Sequence, residues 1–218
     1  MKLSEILFES VRELWNEAAM NPFVTAMADG SLDSELFKAY MLQDYYYLLE
    51  YADILEQMQG QAAHTETAQF LKKAAQATRY EMDTVHVPNM AKLNITAKDI
   101  QAGQKTPACT EYLQYLKETA QEGTVQGLAA LLQCSWSYAY IAQSVTERYC
   151  SRLECSPYSD WFRAYTSEEY SEANAEWIAV LEREARGISS DETKQLCRIF
   201  ERCARYENAF WECILTSE

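Results

Sequence analysis

The chain has 218 residues, with 33 acids against 19 lysines and arginines and a net charge of −14. That length supports one sizeable core without staples, and that charge repels phosphate backbones and anionic membrane surfaces, which argues against direct nucleic-acid binding. Six glycines and four prolines are too few turn residues for a β-rich protein of this size and favour long helices.

The first helix is predicted from about Leu3 to Met20, with Leu3, Ile6, Leu7, Val11, Leu14 and Trp15 on one stripe. Asn21-Pro22 breaks it, and Gly30 ends a short connecting piece. Asp33 then caps a long helix to about Gln59, closed by Gly60. Its stripe reads Phe37, Tyr40, Met41, Asp44, Tyr47, Leu48, Tyr51, Ile54, Leu55 and Met58. One further helix runs from about His64 through Met82 towards Leu93, and Pro88 should kink or end it. Thr96 caps a short turn ending at Gly103. Thr106-Pro107 pairs a cap with a proline at the first helical position, starting a helix to about Glu122 that carries Cys109, Tyr112, Leu113 and Leu116 on one face.

The central helix spans about Thr124 to Leu153. At helical spacing Gly127, Leu131, Cys134, Tyr138, Ile141 and Val145 share one face, so the Cys134 thiol and the Tyr138 phenol, one turn apart, are neighbours. Ser156-Pro157 starts a short helix holding Trp161, Phe162 and Tyr165. Ser167, followed by Glu168 and Glu169, starts another that ends near Gly187. The last helix runs from about Ser190 to Leu215 with the stripe Leu196, Ile199, Phe200, Cys203, Glu207, Phe210, Trp211 and Ile214. No linker, repeat or low-complexity tract divides the chain, so the expected architecture is a single all-α helical bundle over residues 1–218.

Seven cysteines, none in a Cys-x-x-Cys pair, and only two histidines give poor support for a zinc site or a disulfide framework. The N-terminus carries acids every few residues, and the longest clean apolar run, Leu128–Leu132, is far too short for a bilayer. A reduced cytoplasmic protein is the default expectation. Fifteen tyrosines is a high count, and tyrosines on apolar faces hint at a pocket with polar handles.

Two carboxylates, Asp44 and Glu207, sit in otherwise apolar stripes on different helices. A buried carboxylate needs hydrogen-bond donors or a proton. A di-iron bundle would use Glu-x-x-His pairs, but Asp83 and Gln61 stand where His86 and His64 would need glutamates. His86 is the one candidate for a haem ligand, neither histidine has a Ser-His-Asp context, and there is no phosphate-cradling glycine loop. What remains is a cysteine nucleophile served by a carboxylate or by tyrosine hydroxyls, set against a structural role for the acids and a purely core role for Cys134.

The motifs resemble one family in order along nearly the whole chain. Asn21-Pro-Phe-Val24, Phe37-Lys-x-Tyr-x-Leu-Gln-Asp44-x-Tyr-Tyr47-Leu48, Glu81-Met82 with His86, and Thr106-Pro-Ala-x-x-x-Tyr112 come first. Leu128-Ala-Ala-Leu-Leu-x-Cys134-x-Trp-x-Tyr138, Trp161-x-x-x-Tyr165 and Tyr206-Glu207-x-x-Phe-Trp211 complete the set. The pattern looks like thiaminase II, the TenA family of aminopyrimidine aminohydrolases, in its cysteine-containing branch. Gln133, Ser135 and Asn21 depart from the family's usual Pro, aromatic and His, beside the reactive positions rather than on them.

The resemblance implies a haem-oxygenase-like fold, a homotetramer and no metal or organic cofactor. It implies hydrolysis of 4-amino-5-aminomethyl-2-methylpyrimidine, and of thiamin too, in thiamin salvage. By the same resemblance Cys134 is the nucleophile and Glu207 shuttles protons. Asp44 accepts hydrogen bonds from the 4-amino edge, Tyr47 and Tyr165 orient the thiol, Tyr112 bonds the ring edge and Tyr138 packs on its face. The competing expectations are a bundle that sequesters a pyrimidine, a regulator acting through protein contacts, and an oxidoreductase of the pyrroloquinoline quinone branch.

Overall fold

The computed structural model describes residues 1–216, and every regular element among them is a helix. The chain forms two compact units, one from Met1–Leu32 and Leu128–Glu212, the other from Asp33–Gly127 with the segment from Cys213 onward.

In the first unit, α1 (Leu3–Ala18) buries Leu3, Leu7, Val11, Trp15 and Ala18, the i, i+4 stripe expected of it. Its free N-terminal amides are met by Glu182, which accepts from Ser4 N at 2.8 Å and Ser4 Oγ at 2.7 Å. Burial would raise the Glu182 pKa, but these hydrogen bonds outweigh it and hold the carboxyl below its ordinary value. The stretch expected as a connecting piece is itself a helix, α2 (Pro22–Asp29). Asn21 Oδ1 caps Phe23 N at 2.9 Å, proline fills the first position, and Gly30 closes it in the left-handed region at φ 78°.

The long helix α8 (Thr124–Glu154) is interrupted at Cys150, whose φ of 35° is not helical. Then come α9 (Ser159–Tyr165), α10 (Glu168–Glu184) and α11 (Ser190–Leu215). Ser156-Pro157 does not start α9. The Ser156 hydroxyl bonds back to Met27 O at 2.6 Å and Tyr158 OH to Leu32 O at 2.9 Å, so the segment is spent anchoring the chain before the helix begins. Phe8, Trp15, Trp136 and Phe200 pack edge to face or tilted, with centroids 5.5–6.1 Å apart along Phe8–Trp15–Trp136–Phe200.

In the second unit, α3 (Ser34–Gln61) runs through Gly60 and ends at Ala62, in extended conformation. Gly60 has open space around it and ordinary φ, so nothing there requires a stop. Against α3 pack α4 (Thr65–Glu81) and α7 (Pro107–Glu122). Thr96 caps α6 (Ala97–Ala102), and Thr106 caps α7 through Cys109 N, with Pro107 at its first position as expected. The kink expected at Pro88 takes a different form. A π-turn, Met82–His86, follows α4, and α5 (Val87–Lys92) continues past the proline. Proline removes one amide and crowds the carbonyl four residues back. A turn in which Val87 N bonds Met82 O, five residues earlier, absorbs both effects without breaking the rod.

Candidate functional site

Cys134, Tyr138, Tyr165 and Glu207 all lie in the first unit. Cys134 is half-buried on α8, whereas the stripe cysteines Cys109 and Cys203 are fully buried. Cys134 is thus less enclosed than those two residues. One turn on, Tyr138 is buried among three aromatic rings: Tyr165 at 5.0 Å edge to face, Trp161 at 5.6 Å and Trp211 at 5.6 Å. Trp161 and Tyr165 pair at 4.6 Å because they stand four apart on α9. The result is a three-helix aromatic cluster on the same helix face as the thiol. The indole Nε1 of Trp211 within it is buried and finds no acceptor among the described residues.

Ser135, beside the thiol, is tied outwards. Its hydroxyl donates to Asn174 Oδ1 at 2.8 Å and lies 3.1 Å from the Tyr170 hydroxyl, and Tyr170 packs edge to face on Tyr165 at 5.1 Å. A serine where the resemblance predicts an aromatic residue therefore works as a clamp between α8 and α10. Glu207 is 4% exposed on α11, between Cys203 and Trp211 on the buried stripe. It is the misfit that the stripe predicted.

Asp44, Tyr47 and Tyr112 lie in the second unit. Asp44 is 5% exposed, and its Oδ2 is 2.7 Å from Nε2 of His86, itself 6% exposed. Burial alone would lower the His86 pKa. The hydrogen bond to Asp44 and the negative charges of Asp44 and Glu81 outweigh burial and raise it above 6.5. Glu81, the last residue of α4, is exposed as a residue, yet its carboxyl end is crowded by protein. Burial raises its pKa, His86 opposes the rise and Asp44 adds to it. The pairing of Asp44 with His86 escaped the sequence because the two are 42 positions apart. The signal available was a histidine within the motif Glu81-Met82…His86, whose only obvious roles looked like metal or haem ligation.

Tyr47 packs on Tyr112 at 5.3 Å and on Tyr51 at 5.7 Å, with both Tyr47 and Tyr112 buried. Gln43, also missed, sets the register of that contact. Its Nε2 donates to Gln104 O at 2.9 Å, and its Oε1 accepts from Thr106 N at 2.8 Å. Those bonds fix the turn entering α7, and Tyr112 sits six residues further along. A glutamine next to Asp44 at the edge of an apolar stripe was the available signal.

Among the described residues no group of three or more His, Cys, Asp or Glu is placed to hold a metal ion. Among the described residues no two cysteines form a disulfide. No described helix is long and apolar enough to cross a membrane.

Residues 8–217 match the model of the TENA/THI-4/PQQC family. An aminopyrimidine aminohydrolase of Halalkalibacterium halodurans is 33% identical over 215 residues, 97% of this chain and 95% of the relative. The structure of a TenA homologue protein from P. horikoshii OT3 superposes with a TM-score of 0.83 at 27% identity, over 98% of each chain. A domain of unknown function with a haem-oxygenase-like fold from Shewanella denitrificans OS217 superposes with a TM-score of 0.77 at 19% identity, over 99% of this chain and 92% of that one, a likeness of fold alone. The expected haem-oxygenase-like, all-helical fold is thus the fold found, and by the match over nearly its whole length the chain belongs to the TENA/THI-4/PQQC family.

Proposed function

We propose that the 218 residues act as one TenA-like catalytic domain of the cysteine-containing branch. In this proposal it hydrolyses 4-amino-5-aminomethyl-2-methylpyrimidine to the 5-hydroxymethyl compound and ammonia. The observation that carries the proposal is the half-buried Cys134 one turn from Tyr138, in the unit that also buries Glu207. Support comes from the relative at 33% identity, which is named an aminopyrimidine aminohydrolase.

The chemistry gives each side chain a task. An aminopyrimidine is a poor electrophile until a ring nitrogen is protonated. The Cys134 thiolate then adds to ring C6, and the exocyclic amine leaves as ammonia once it takes a proton. Water adds to the exocyclic methylene so formed, gives up a proton, and the thiolate departs with restoration of the ring. Glu207 carries the protons between ring nitrogen, leaving amine and water. Carboxyl groups in apolar surroundings hold protons to higher pH, which suits that task near neutrality. Asp44 accepts from the 4-amino group, Tyr112 bonds the ring edge, and Tyr138 packs on the ring face. Tyr47 and Tyr165 orient the thiol. Thiamin, which carries the same ring on the same exocyclic carbon, is the second candidate substrate. The family resemblance further suggests a cytoplasmic homotetramer, which analytical ultracentrifugation checks.

The test is steady release of ammonia from the aminomethylpyrimidine by wild type and by Cys134→Ser. The variant is expected to fold, since the side chains are nearly isosteric, and to release ammonia at background rate. Full turnover by a folded Cys134→Ser would remove the nucleophile from the proposal. Tight binding without turnover in wild type would identify a sequestering protein instead.

A further inference from the structure

The carboxylate proposed to read the pyrimidine ring is not alone. Asp44 Oδ2 and His86 Nε2 are 2.7 Å apart, and both residues are more than nine-tenths buried. An aspartate's terminal torsion is broad and nearly two-fold, so a free carboxylate presents its oxygens in many directions. One short bond to a buried donor removes that freedom.

The backbone is shaped to supply the donor. Residues five apart on an α-helix point about 140° away from each other. In a π-turn, residues five apart are the ones the hydrogen bonds stack. The π-turn Met82–His86 begins just after Glu81 and ends on His86, five residues on, and Val87 N bonds Met82 O across it. The turn therefore brings Glu81 and His86 towards one side of the helix. Glu81 acts on His86 electrostatically, as does Asp44 from α3, and among the described residues these are the charged groups acting on the imidazole. Both are acids, so both favour the protonated ring. With the proton on Nε2, His86 donates to Oδ2 of Asp44, which accepts.

We propose that His86 is a positioning residue for substrate recognition: it holds Oδ2 of Asp44 and leaves the other carboxylate oxygen to accept from a 4-amino group, while the π-turn holds Glu81 beside it. This rests on the proposed role of Asp44. It adds that selectivity for 4-amino over 4-oxo pyrimidines is set by a residue that need not touch the ligand.

The experiment has two arms. In the first, the affinities of 4-amino-5-hydroxymethyl-2-methylpyrimidine and its 4-oxo counterpart are measured by calorimetry on wild type, His86→Leu and His86→Gln. Wild type should prefer the 4-amino ring. His86→Leu should lose about tenfold or more of that preference, the scale of one hydrogen bond to a charged group. His86→Gln places an amide N–H where Nε2 was and should retain most of it, a rescue that a loss of packing alone would not give. In the second arm, the imidazole of His86 is titrated by NMR without ligand, in a His64→Gln background that leaves a single histidine. Its pKa should lie above 6.5 in the otherwise wild-type chain and fall in Glu81→Gln.

A wild type with no ring preference would sink the role of Asp44, and this inference with it. A wild-type preference that survives intact in folded His86→Leu would overturn the inference alone. Where His86→Leu fails to fold, an imidazole titrating at or below 6.5 overturns it.

Discussion

Asp44→Asn separates ring recognition from helix tying, because each predicts a different change. The substitution keeps size and one carbonyl acceptor but removes the charge that faces His86 at 2.7 Å. Breaking a buried pair outright costs about 3–5 kcal/mol. Asparagine can still accept from the imidazole, so the expected loss of stability is that of one charge-assisted hydrogen bond, about 1.5–3 kcal/mol. For a chain of this size that lowers the melting temperature by about 3–12 °C. The loss should depend on pH. His86 has its pKa raised by folding, so the folded chain holds its proton more tightly than the unfolded one. The stabilisation is fully present below the unfolded value near 6.5 and is lost as pH rises through the folded, higher value. Calorimetric scans from pH 6 to 9 should therefore show the gap between wild type and Asp44→Asn narrowing as pH rises. The same variant should bind the 4-amino ring roughly ten- to a hundred-fold more weakly. Its preference over the 4-oxo ring should shrink, since an amide can donate as well as accept. A folded variant with the lower melting temperature but an unchanged 4-amino/4-oxo ratio would show that Asp44 only ties α3 to the π-turn. A gap that is constant across the pH range would refute the electrostatic account of His86.

Two further substitutions test other parts of the site. Glu207→Gln keeps the shape of a buried side chain, on the stripe that also buries Cys203, Phe210 and Trp211, but cannot exchange protons, so stopped assays should show about a 10²-fold or greater loss in kcat with a much smaller change in affinity. An unchanged kcat moves proton transfer to another group. Gln43→Ala leaves Gln104 O and Thr106 N without their side-chain partner and should destabilise by about 1–3 kcal/mol, measured by urea unfolding, while raising KM through the displaced start of α7. A stable variant with normal KM would show that Thr106 and Pro107 set α7 unaided.

The residues that sequence periodicity could expose were those whose environment contradicts their stripe. Asp44 and Glu207 were legible because an acid in a run of apolar positions is costly, and both are indeed buried. Helix starts at Asp33 and Thr106 were legible because capping is local chemistry within three residues. Partners were not. His86 reaches Asp44, and Gln43 reaches Thr106, across 42 and 63 positions, and no local pattern encodes such a pairing. The π-turn was hidden for a different reason. One extra residue per turn shifts the register of everything after it, yet the residues involved, Met82 to His86, carry no turn signal, and Pro88 suggests only a kink. Gly60 misled because glycine often ends helices, while nothing at that position needs its freedom. At α2 the eight residues were too few to show a stripe.

Within each unit, buried polar residues carry supporting bonds, and those bonds bear on function. A bundle selected for stability alone would place leucine at 44 and 207, since apolar replacements of buried charged groups are often neutral or stabilising. Here the two acids are kept, and one of them carries its own support. Asp44 has His86, and its neighbour Gln43 fixes the start of the helix that bears Tyr112. Near the thiol, Ser135 and Asn174 bridge α8 and α10, and Tyr170 passes that bridge on to Tyr165 and Tyr138. Of these bonds, the one from His86 holds directly a side chain, Asp44, to which the proposed chemistry assigns a direction. A site whose first contacts must be held within about 0.5 Å requires such a surrounding layer. A buried acid held by its own buried partner, as Asp44 is by His86, is therefore a stronger argument for a built site than the burial of either acid alone.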